Sequence, residues 1–464
     1  MTHSVERIGM DTFADEKAAS VYSNKDGSSG KSSDDISFQK SEAEKKLVKK
    51  LNWTLLPFVG AIVFIQFVDK STLGISAVLG IIEDTHLTGS QYSWLGSFFY
   101  LGYISFQLPN NYLIQKFPIS KYLGTLLILW GIVMALTALC QNFAQLVVCR
   151  VFLGLFEAGT YPCLLIVINA VYRRSEQSAA YGFLWLSNGT GTMIGAACAY
   201  GISYIDNARG IHSWKWPYII WKPIVAERSR DNCVVRVQKI KLHHVWEALR
   251  EVRLWLICLA CFFNNLLTGG VVVFNTLIVK SMGYSSQESI LFQICSGCVS
   301  AIFSLVAIYV ARKTGQLYLA VVVCTSVSLI GVILLAALPP SGVKLLGYLL
   351  AWAMAGSHST LLTIIAANVN GYTKKIFYNA MYMIAFTLGN FVGPLVMLEK
   401  EAPNYKTGMI IYSIANAGVL VSLFINRQIM ARQNKTRIAN PSNDVIDVND
   451  DLTDRENTTF IYKL

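Results

Sequence analysis

The chain has 464 residues, of which 53% are apolar and only 14% are charged, against about 25% charged residues in a soluble domain. Its formal net charge is +11. Most of the Lys and Arg residues stand in short segments beside long apolar runs, which is typical of cytosolic loops in membrane proteins and not of a nucleic-acid-binding surface. These totals exclude an ordinary soluble enzyme and favour a multi-pass membrane protein.

The first half of the chain is predicted to hold five membrane spans. Residues 1–42 are rich in Ser, Asp, Lys and Gly without apolar periodicity, so they are expected to be disordered and cytosolic. The N-terminal helical half, residues 43–221, contains five apolar runs that are long enough to cross a bilayer, for which about 20 residues suffice. These runs are 54–79, 92–113, 121–140, 145–169 and 180–204.

The second half is predicted to hold six spans. Residues 222–253 form a basic linker that we expect in the cytosol, and residues 254–426 form the C-terminal helical half. Residues 427–464 are predicted to be a disordered cytosolic tail. The six runs are 254–275, 289–311, 317–338, 344–367, 377–398 and 408–426. Basic loops alternate with loops poor in Lys and Arg, which indicates two six-helix halves joined by a cytosolic loop.

One membrane crossing is missing from this pattern. The fifth span should end outside, whereas the basic linker that starts at Lys222 should be cytosolic. Only the six residues 216–221 lie between them as an apolar run, and six helical residues rise about 9 Å against about 30 Å of hydrocarbon. The sequence therefore predicts about eleven spans, with the sixth helix truncated or deleted.

Four charged residues inside the predicted spans are the main candidates for a functional site, because intramembrane charge is energetically unfavourable. Asp69 and Lys70 lie in the first span, and Arg150 and Glu157 lie seven residues apart on one face of the fourth. Lys70 and Arg150 are candidates for binding an anionic substrate. Asp69 and Glu157 are candidates for binding a coupling proton. The alternative is that the four charges only hold the helices together.

Three asparagines are weaker candidates for substrate binding. Asn264 and Asn265 interrupt the first span of the C-terminal half, and Asn390 lies in its fifth span. Each could equally form a hydrogen bond with a neighbouring helix. The sequence holds no P-loop, no zinc-ligand spacing and no nucleophile motif, and its ten cysteines show no paired spacing. No enzyme activity, cofactor or metal site is predicted.

Several stretches resemble the major facilitator superfamily, and within it the fungal allantoate permease family of anion:cation symporters. They are FVDKSTLG, LIQKFPISKYLG, RVFLGLFEAG, YRRSEQSAAYGF, NVNGYTKKIFYNA and DLTDRENTTFIY. The resemblance implies proton-coupled symport of a small organic anion by alternating access between the two halves. Similar bacterial sugar-acid transporters carry an Asp-Arg pair in the first helix and an Arg and a Glu in the fourth, and these match Asp69, Lys70, Arg150 and Glu157. Lys at position 70 lacks the bidentate geometry of Arg.

The resemblance also indicates which helix is missing. Members of this family carry a full sixth helix at the position where Trp221 here is followed directly by Lys222. The leading hypothesis is a monomeric transporter of a carboxylate, vitamin or ureide, in the plasma membrane or an endomembrane. A second hypothesis is a non-transporting remnant of the same family. A membrane receptor or enzyme is disfavoured, because the sequence contains neither a catalytic motif nor an extramembrane domain.

Overall fold

The computed structural model describes residues 42–172, 174–204, 212–216, 242–339, 342–402, 405–439 and 452–464. The chain divides into two compact units, Met1–Lys50 and Leu51–Leu464. The first unit is described only from residue 42, where it forms the start of a helix. Within the described ranges the regular structure is helical throughout, with no β-strand.

Five long helical segments make up the N-terminal half. They are α1 (Glu42–Val78), α2 (Gly89–Lys116), α3 (Ile119–Thr137), α4 (Phe143–Glu157, continued by Thr160–Val171) and α5 (Arg174–Ile202). A short helix, Ile81–Asp84, and a 3-10 turn, Ser213–Lys215, accompany them. Thr88 and Gln91 form a capping box that starts α2. The break in α4 falls where Pro162 lacks the N–H that would bond to the carbonyl of Ala158.

From residue 242 onward, the described part of the chain forms a short helix at the end of the basic linker and then six long segments of the C-terminal half. They are α6 (Leu242–Leu249), α7 (Val252–Lys280), α8 (Ser286–Thr314), α9 (Leu317–Ala337), α10 (Gly342–Ala351, continued by Met354–Asn368), α11 (Tyr372–Val392) and α12 (Lys406–Ala439). Two 3-10 turns, Gly393–Val396 and Glu399–Glu401, connect the last two helices. Ser285 and Glu288 form a capping box at the start of α8.

The predicted spans are all helical in the described part of the chain. Nine helical stretches there are long and apolar enough to cross a membrane. Helices α2 and α5 are more polar, but with 28 and 29 residues they are also long enough. Together they account for the eleven predicted spans. The predicted truncation of the sixth helix falls mainly on residues 217–241, which lie outside the described residues.

The prediction of a disordered tail is wrong for two stretches of residues 427–464. Helix α12 continues to Ala439. Residues 452–464 pack against the rest of the protein, with Thr453 and Asp454 fully buried and Tyr462 2% exposed. Composition could not indicate this, because the burial depends on polar partners that are distant in the sequence.

The two halves contact each other at the ends of the helices that the charge pattern places outside. The Tyr92 hydroxyl donates to the carbonyl of Val273 at 2.7 Å. Thr276 donates to the carbonyl of Gly74 at 2.5 Å. These bonds tie α1 and α2 to α7, so the two halves are joined on the side that the charge pattern predicts to be outside.

A carboxylate adds a further contact on the same side. Glu399, between α11 and α12, accepts hydrogen bonds from the backbone amides of Gly89 and Ser90, each at 2.9 Å. These amides are the first two of α2, where the free N–H groups and the helix dipole favour a negative charge. We call this contact between Glu399 and the start of α2 the outer latch.

Candidate functional site

The four intramembrane charges predicted from the sequence lie together where α1 and α4 meet. The Lys70 ammonium is 2.7 Å from Glu157 Oε1, and Glu157 is 2% exposed. Arg150 is 4% exposed, and its positive charge is close enough to Asp69 and Glu157 to attract both carboxylates. A buried group of two cations and two carboxylates is therefore present, and we call these four residues the charge cluster.

Glycines bring the helix that carries Arg150 and Glu157 close to α2. Gly154 lies between these two residues on α4, and a side chain there would overlap the carbonyl of Phe99 on α2. Gly102 faces it, and a side chain there would overlap the carbonyl of Val151. The RVFLGLFEAG stretch thus combines a close helix contact with two charges on the same helix.

Each carboxylate of the charge cluster keeps one oxygen free of hydrogen bonds from the described residues. Asp69 Oδ2 accepts a hydrogen bond from Trp130 Nε1 at 3.0 Å, whereas Asp69 Oδ1 is buried without a described partner. Glu157 Oε1 contacts Lys70, whereas Glu157 Oε2 is buried without one. Because buried polar atoms are normally paired, these two oxygens are positions at which a proton or a polar ligand could be bound.

The Lys70 ammonium also contacts aromatic rings. It lies 5.0 Å from the ring centre of Phe67 and 5.8 Å from that of Phe99, distances at which a cation is attracted to the ring face. The side chain of Lys70 is 16% exposed, against 2% for Glu157. Lys70 is thus the more accessible member of the ion pair.

The three predicted asparagines lie in the C-terminal half, and two of them bind each other. Asn390 Nδ2 donates to Asn265 Oδ1 at 3.2 Å, which links α11 to α7. Each also donates to the carbonyl four residues earlier on its own helix, at 2.8 Å. These bonds favour the helix-packing alternative for Asn265 and Asn390. Asn264 is 1% exposed, and its side chain has no hydrogen-bond partner among the described residues, so its substrate-binding role stays a prediction.

Two further residues lie near the charge cluster: Trp130, which the sequence did not indicate, and His358, which the sequence indicated only as a possible titrating group. Trp130 on α3 donates a hydrogen bond to the Asp69 carboxylate. In the sequence, a single Trp in an apolar run gives no indication of such a bond. His358 on α10 lies within electrostatic range of Lys70, and its Nδ1 is 3.1 Å from the Tyr382 hydroxyl. His358 thus brings a side chain of the C-terminal half close enough to interact electrostatically with Lys70 of the charge cluster.

Replacing Trp130 by Phe should slow transport without removing the protein from the membrane. The ring is kept, but the hydrogen bond to the buried Asp69 carboxylate is lost, and a bond to a charged group is worth about 1.5 kcal/mol or more. We expect roughly a tenfold lower uptake rate at equal abundance. Trp255→Phe is the matched control, because Trp255 is half-exposed and its Nε1 donates to the backbone carbonyl of Leu249 and not to a carboxylate. Equal uptake in the two variants would contradict a positioning role for Trp130.

Comparison with known proteins agrees with this architecture. The family model of the Major Facilitator Superfamily matches residues 59–394. The chain is 28% identical to the uncharacterized transporter C417.10 of Schizosaccharomyces pombe, over 91% of this chain and 90% of that one. It is also 28% identical to the allantoate permease of Saccharomyces cerevisiae, over 91% of this chain and 87% of that one.

A solved structure shares the fold at low sequence identity. The inward-facing, occupied structure of a bacterial homologue of the human lysosomal transporter Spinster superposes with a TM-score of 0.65 and 14% identity, covering 81% of this chain and 96% of that one. The relatives are transporters and not enzymes. With eleven long helical segments in the described part of the chain and a family match over residues 59–394, this multi-pass membrane protein belongs to the Major Facilitator Superfamily, as the resemblance to fungal permeases implied.

Proposed function

We propose that this transporter carries a small organic anion together with a proton by alternating access. The observation that supports the proposal is the charge cluster, in which Lys70 contacts Glu157 and both Arg150 and Asp69 are buried. Charges in such a position are rare in membrane spans and commonly serve substrates or protons.

The charges of the cluster suggest why substrate and proton would move together. With both cations and both carboxylates ionised, the four groups sum to zero. A bound anion would leave one buried negative charge uncompensated, which is strongly unfavourable in a low-dielectric site. One proton on a carboxylate restores neutrality. Protonation of Glu157 would also release Lys70 from its ion pair, so that Lys70 and Arg150 could both bind the anion.

The names of the relatives point to the substrate class. One of them is an allantoate permease and another a high affinity cysteine transporter, both from Saccharomyces cerevisiae. Carboxylates, ureides and vitamins with an acidic group are the compounds we propose for this chain. We propose the plasma membrane as its location, with an endomembrane as the alternative, and a monomer as its working form.

Uptake by the purified chain in liposomes tests this proposal. We expect at least one labelled anion of a panel of carboxylates, ureides and vitamins to accumulate when the outside is acidic. A protonophore should lower the accumulation ratio to about one. Accumulation that a protonophore leaves unchanged would contradict proton coupling, and accumulation of cations alone would contradict the anionic substrate class.

A second candidate is a member of the family that no longer transports. The direct junction of Trp221 and Lys222 favours it, and so does the alignment with C417.10, which runs over 463 positions while covering only 91% of the 464 residues here. About forty alignment positions are therefore gaps in this chain. Reading the transcript across the codons for Trp221 and Lys222 separates the candidates. An additional apolar segment there would favour the transporter, and an uninterrupted frame would favour the remnant.

A further inference from the structure

Three buried charged residues lie together at the cytosolic end of the C-terminal half. Glu251 and Arg253 stand at the start of α7, and Lys374 stands in the first turn of α11. They are 1%, 5% and 0% exposed. Lys374 Nζ is 2.6 Å from Glu251 and 2.7 Å from Glu247 of α6. We call Glu251, Arg253 and Lys374 the socket.

A charged side chain from the tail enters the socket. Asp454 is fully buried and lies 2.5 Å from Arg253 and 2.7 Å from Lys374. Burial raises the pKa of the Asp454 carboxyl, but the positive charges of Arg253 and Lys374 outweigh this effect and hold the pKa below its usual range. Asp454 is therefore ionised at neutral pH, and removing it would deprive both buried cations of a partner.

Two asparagines bind the backbone of the tail in the same manner. Asn434 of α12 accepts from the Tyr462 amide at 2.9 Å and donates to the Tyr462 carbonyl at 2.8 Å. Asn368 of α10 accepts from the Lys463 amide at 2.7 Å and donates to the Lys463 carbonyl at 3.0 Å. A side-chain amide that bonds to both backbone groups of one residue recognises an extended peptide whatever its side chains.

Tyr462 supplies side-chain recognition next to these backbone contacts. Its ring lies 4.5 Å from the Arg253 guanidinium and 4.9 Å from that of Arg437, within the range of cation–π attraction. Its hydroxyl donates to Asp454 Oδ2 at 2.8 Å. The tail thus presents an acidic residue and an aromatic residue to a basic, buried site, and backbone bonds fix its direction.

The tail also contacts α6, which is the last part of the basic linker between the two halves. Thr453 donates to Glu247 of α6 at 3.1 Å. His244 of α6 is 1% exposed, and its Nε2 is 3.7 Å from Glu456 of the tail. Glu247 meanwhile contacts Lys374 of α11. Helix α6 therefore has contacts both with the tail and with the helices of the C-terminal half.

We propose that the cytosolic face of the C-terminal half is a peptide-binding site whose ligand is the chain's own segment 452–464, and that binding of this segment fastens α6 to the C-terminal half. The consequence is that α6 is held with the C-terminal half for as long as the segment is bound. When the segment leaves its site, α6 loses its tail contacts.

Hydrogen exchange on the full-length chain tests the fastening of α6. In the double variant Asp454→Asn, Tyr462→Ala, we expect the amides of residues 242–249 to exchange at least about tenfold faster than in the unmodified chain, because their opening free energy falls. Amides of α3 should be unchanged. Ile461→Ala is the matched control, since Ile461 belongs to the same segment but is half-exposed. Unchanged exchange of α6 in the double variant would overturn the proposal.

Binding of a separate peptide tests the site itself. A chain that ends at residue 449 should bind a synthetic peptide of residues 450–464 in a 1:1 ratio and unfold at a higher temperature with it. The full-length chain, whose site is occupied, should not bind it. The same peptide with Asp454→Asn and Tyr462→Ala should bind at least tenfold more weakly. Equal binding of both peptides would overturn the proposal, and if the shortened chain cannot be purified, the exchange experiment decides alone.

Discussion

Replacing Arg150 by Ala should abolish uptake while the protein still reaches the membrane. Arg150 is 4% exposed and lies within electrostatic range of Asp69 and Glu157. Without it, the two carboxylates share Lys70 as the one remaining cation of the cluster. Removal of one partner from a buried charge group typically costs about 3–5 kcal/mol, which corresponds to more than a hundredfold loss of the charged, anion-binding state.

Uptake and surface abundance have to be measured together for this variant. Arg150→Lys should retain partial uptake, because it keeps the charge but loses the two-pronged geometry of the guanidinium. Arg312→Ala is the matched control, since Arg312 is an exposed arginine in the last turn of α8. Normal uptake by Arg150→Ala would contradict its role as the anchor of the anion. Loss of the protein from the membrane in Arg150→Ala but not in Arg150→Lys would favour a purely structural role.

Replacing Glu157 by Gln should separate substrate movement from the proton gradient. Gln has nearly the same shape as a protonated Glu, so the variant should resemble a transporter whose carboxylate always carries its proton. We expect the accumulation ratio under an acid-outside gradient to fall close to one. Exchange of labelled for unlabelled substrate should continue, because it needs no net release of a proton.

The two carboxylates of the cluster can be distinguished in the same assay. If Asp69→Asn abolishes gradient-driven uptake and Glu157→Gln leaves it intact, the coupling proton belongs to Asp69 and the proposed role of Glu157 is wrong. Glu83→Gln is the control for the substitution itself, because Glu83 is exposed in the short helix after α1. An unchanged accumulation ratio in both Asp69→Asn and Glu157→Gln would contradict proton coupling through the charge cluster.

Much of the architecture follows from apolar runs alone, because a helix is the structure that satisfies the backbone of a single segment in lipid. The four charges could be found for the same physical reason, since ionised groups in spans need partners. Which of these charges pair with each other could not be found from the sequence. Position along the chain places Asp69 beside Lys70 and aligns Arg150 with Glu157, whereas the structure pairs Lys70 with Glu157 across two helices.

The packing of the tail could not be predicted from the sequence either. Residues 452–464 are polar, so their composition predicts disorder, and only the spatial arrangement of Arg253, Lys374, Asn368 and Asn434 provides a buried site for them. The DLTDRENTTFIY stretch resembles the family, but the resemblance did not indicate what it binds. Trp130 was missed for a similar reason, because its function depends on a hydrogen bond to α1 and not on its own span.

The outer latch has a consequence for how tightly the transporter holds a substrate that arrives from outside. The bonds from Gly89 and Ser90 to Glu399 join the two halves in the described conformation, and in the proposed alternating-access cycle a conformation that is open to the outside has to break them. An external substrate can bind only the molecules that are open, so its apparent dissociation constant equals the intrinsic one divided by the open fraction. If the closed state is favoured by about 1.4 kcal/mol, the apparent affinity from outside is about tenfold weaker than the affinity of the site itself. The Glu399 carboxylate at the start of α2, together with the bonds of Tyr92 and Thr276, would thereby help to set the external concentration at which the proposed transporter is half-saturated.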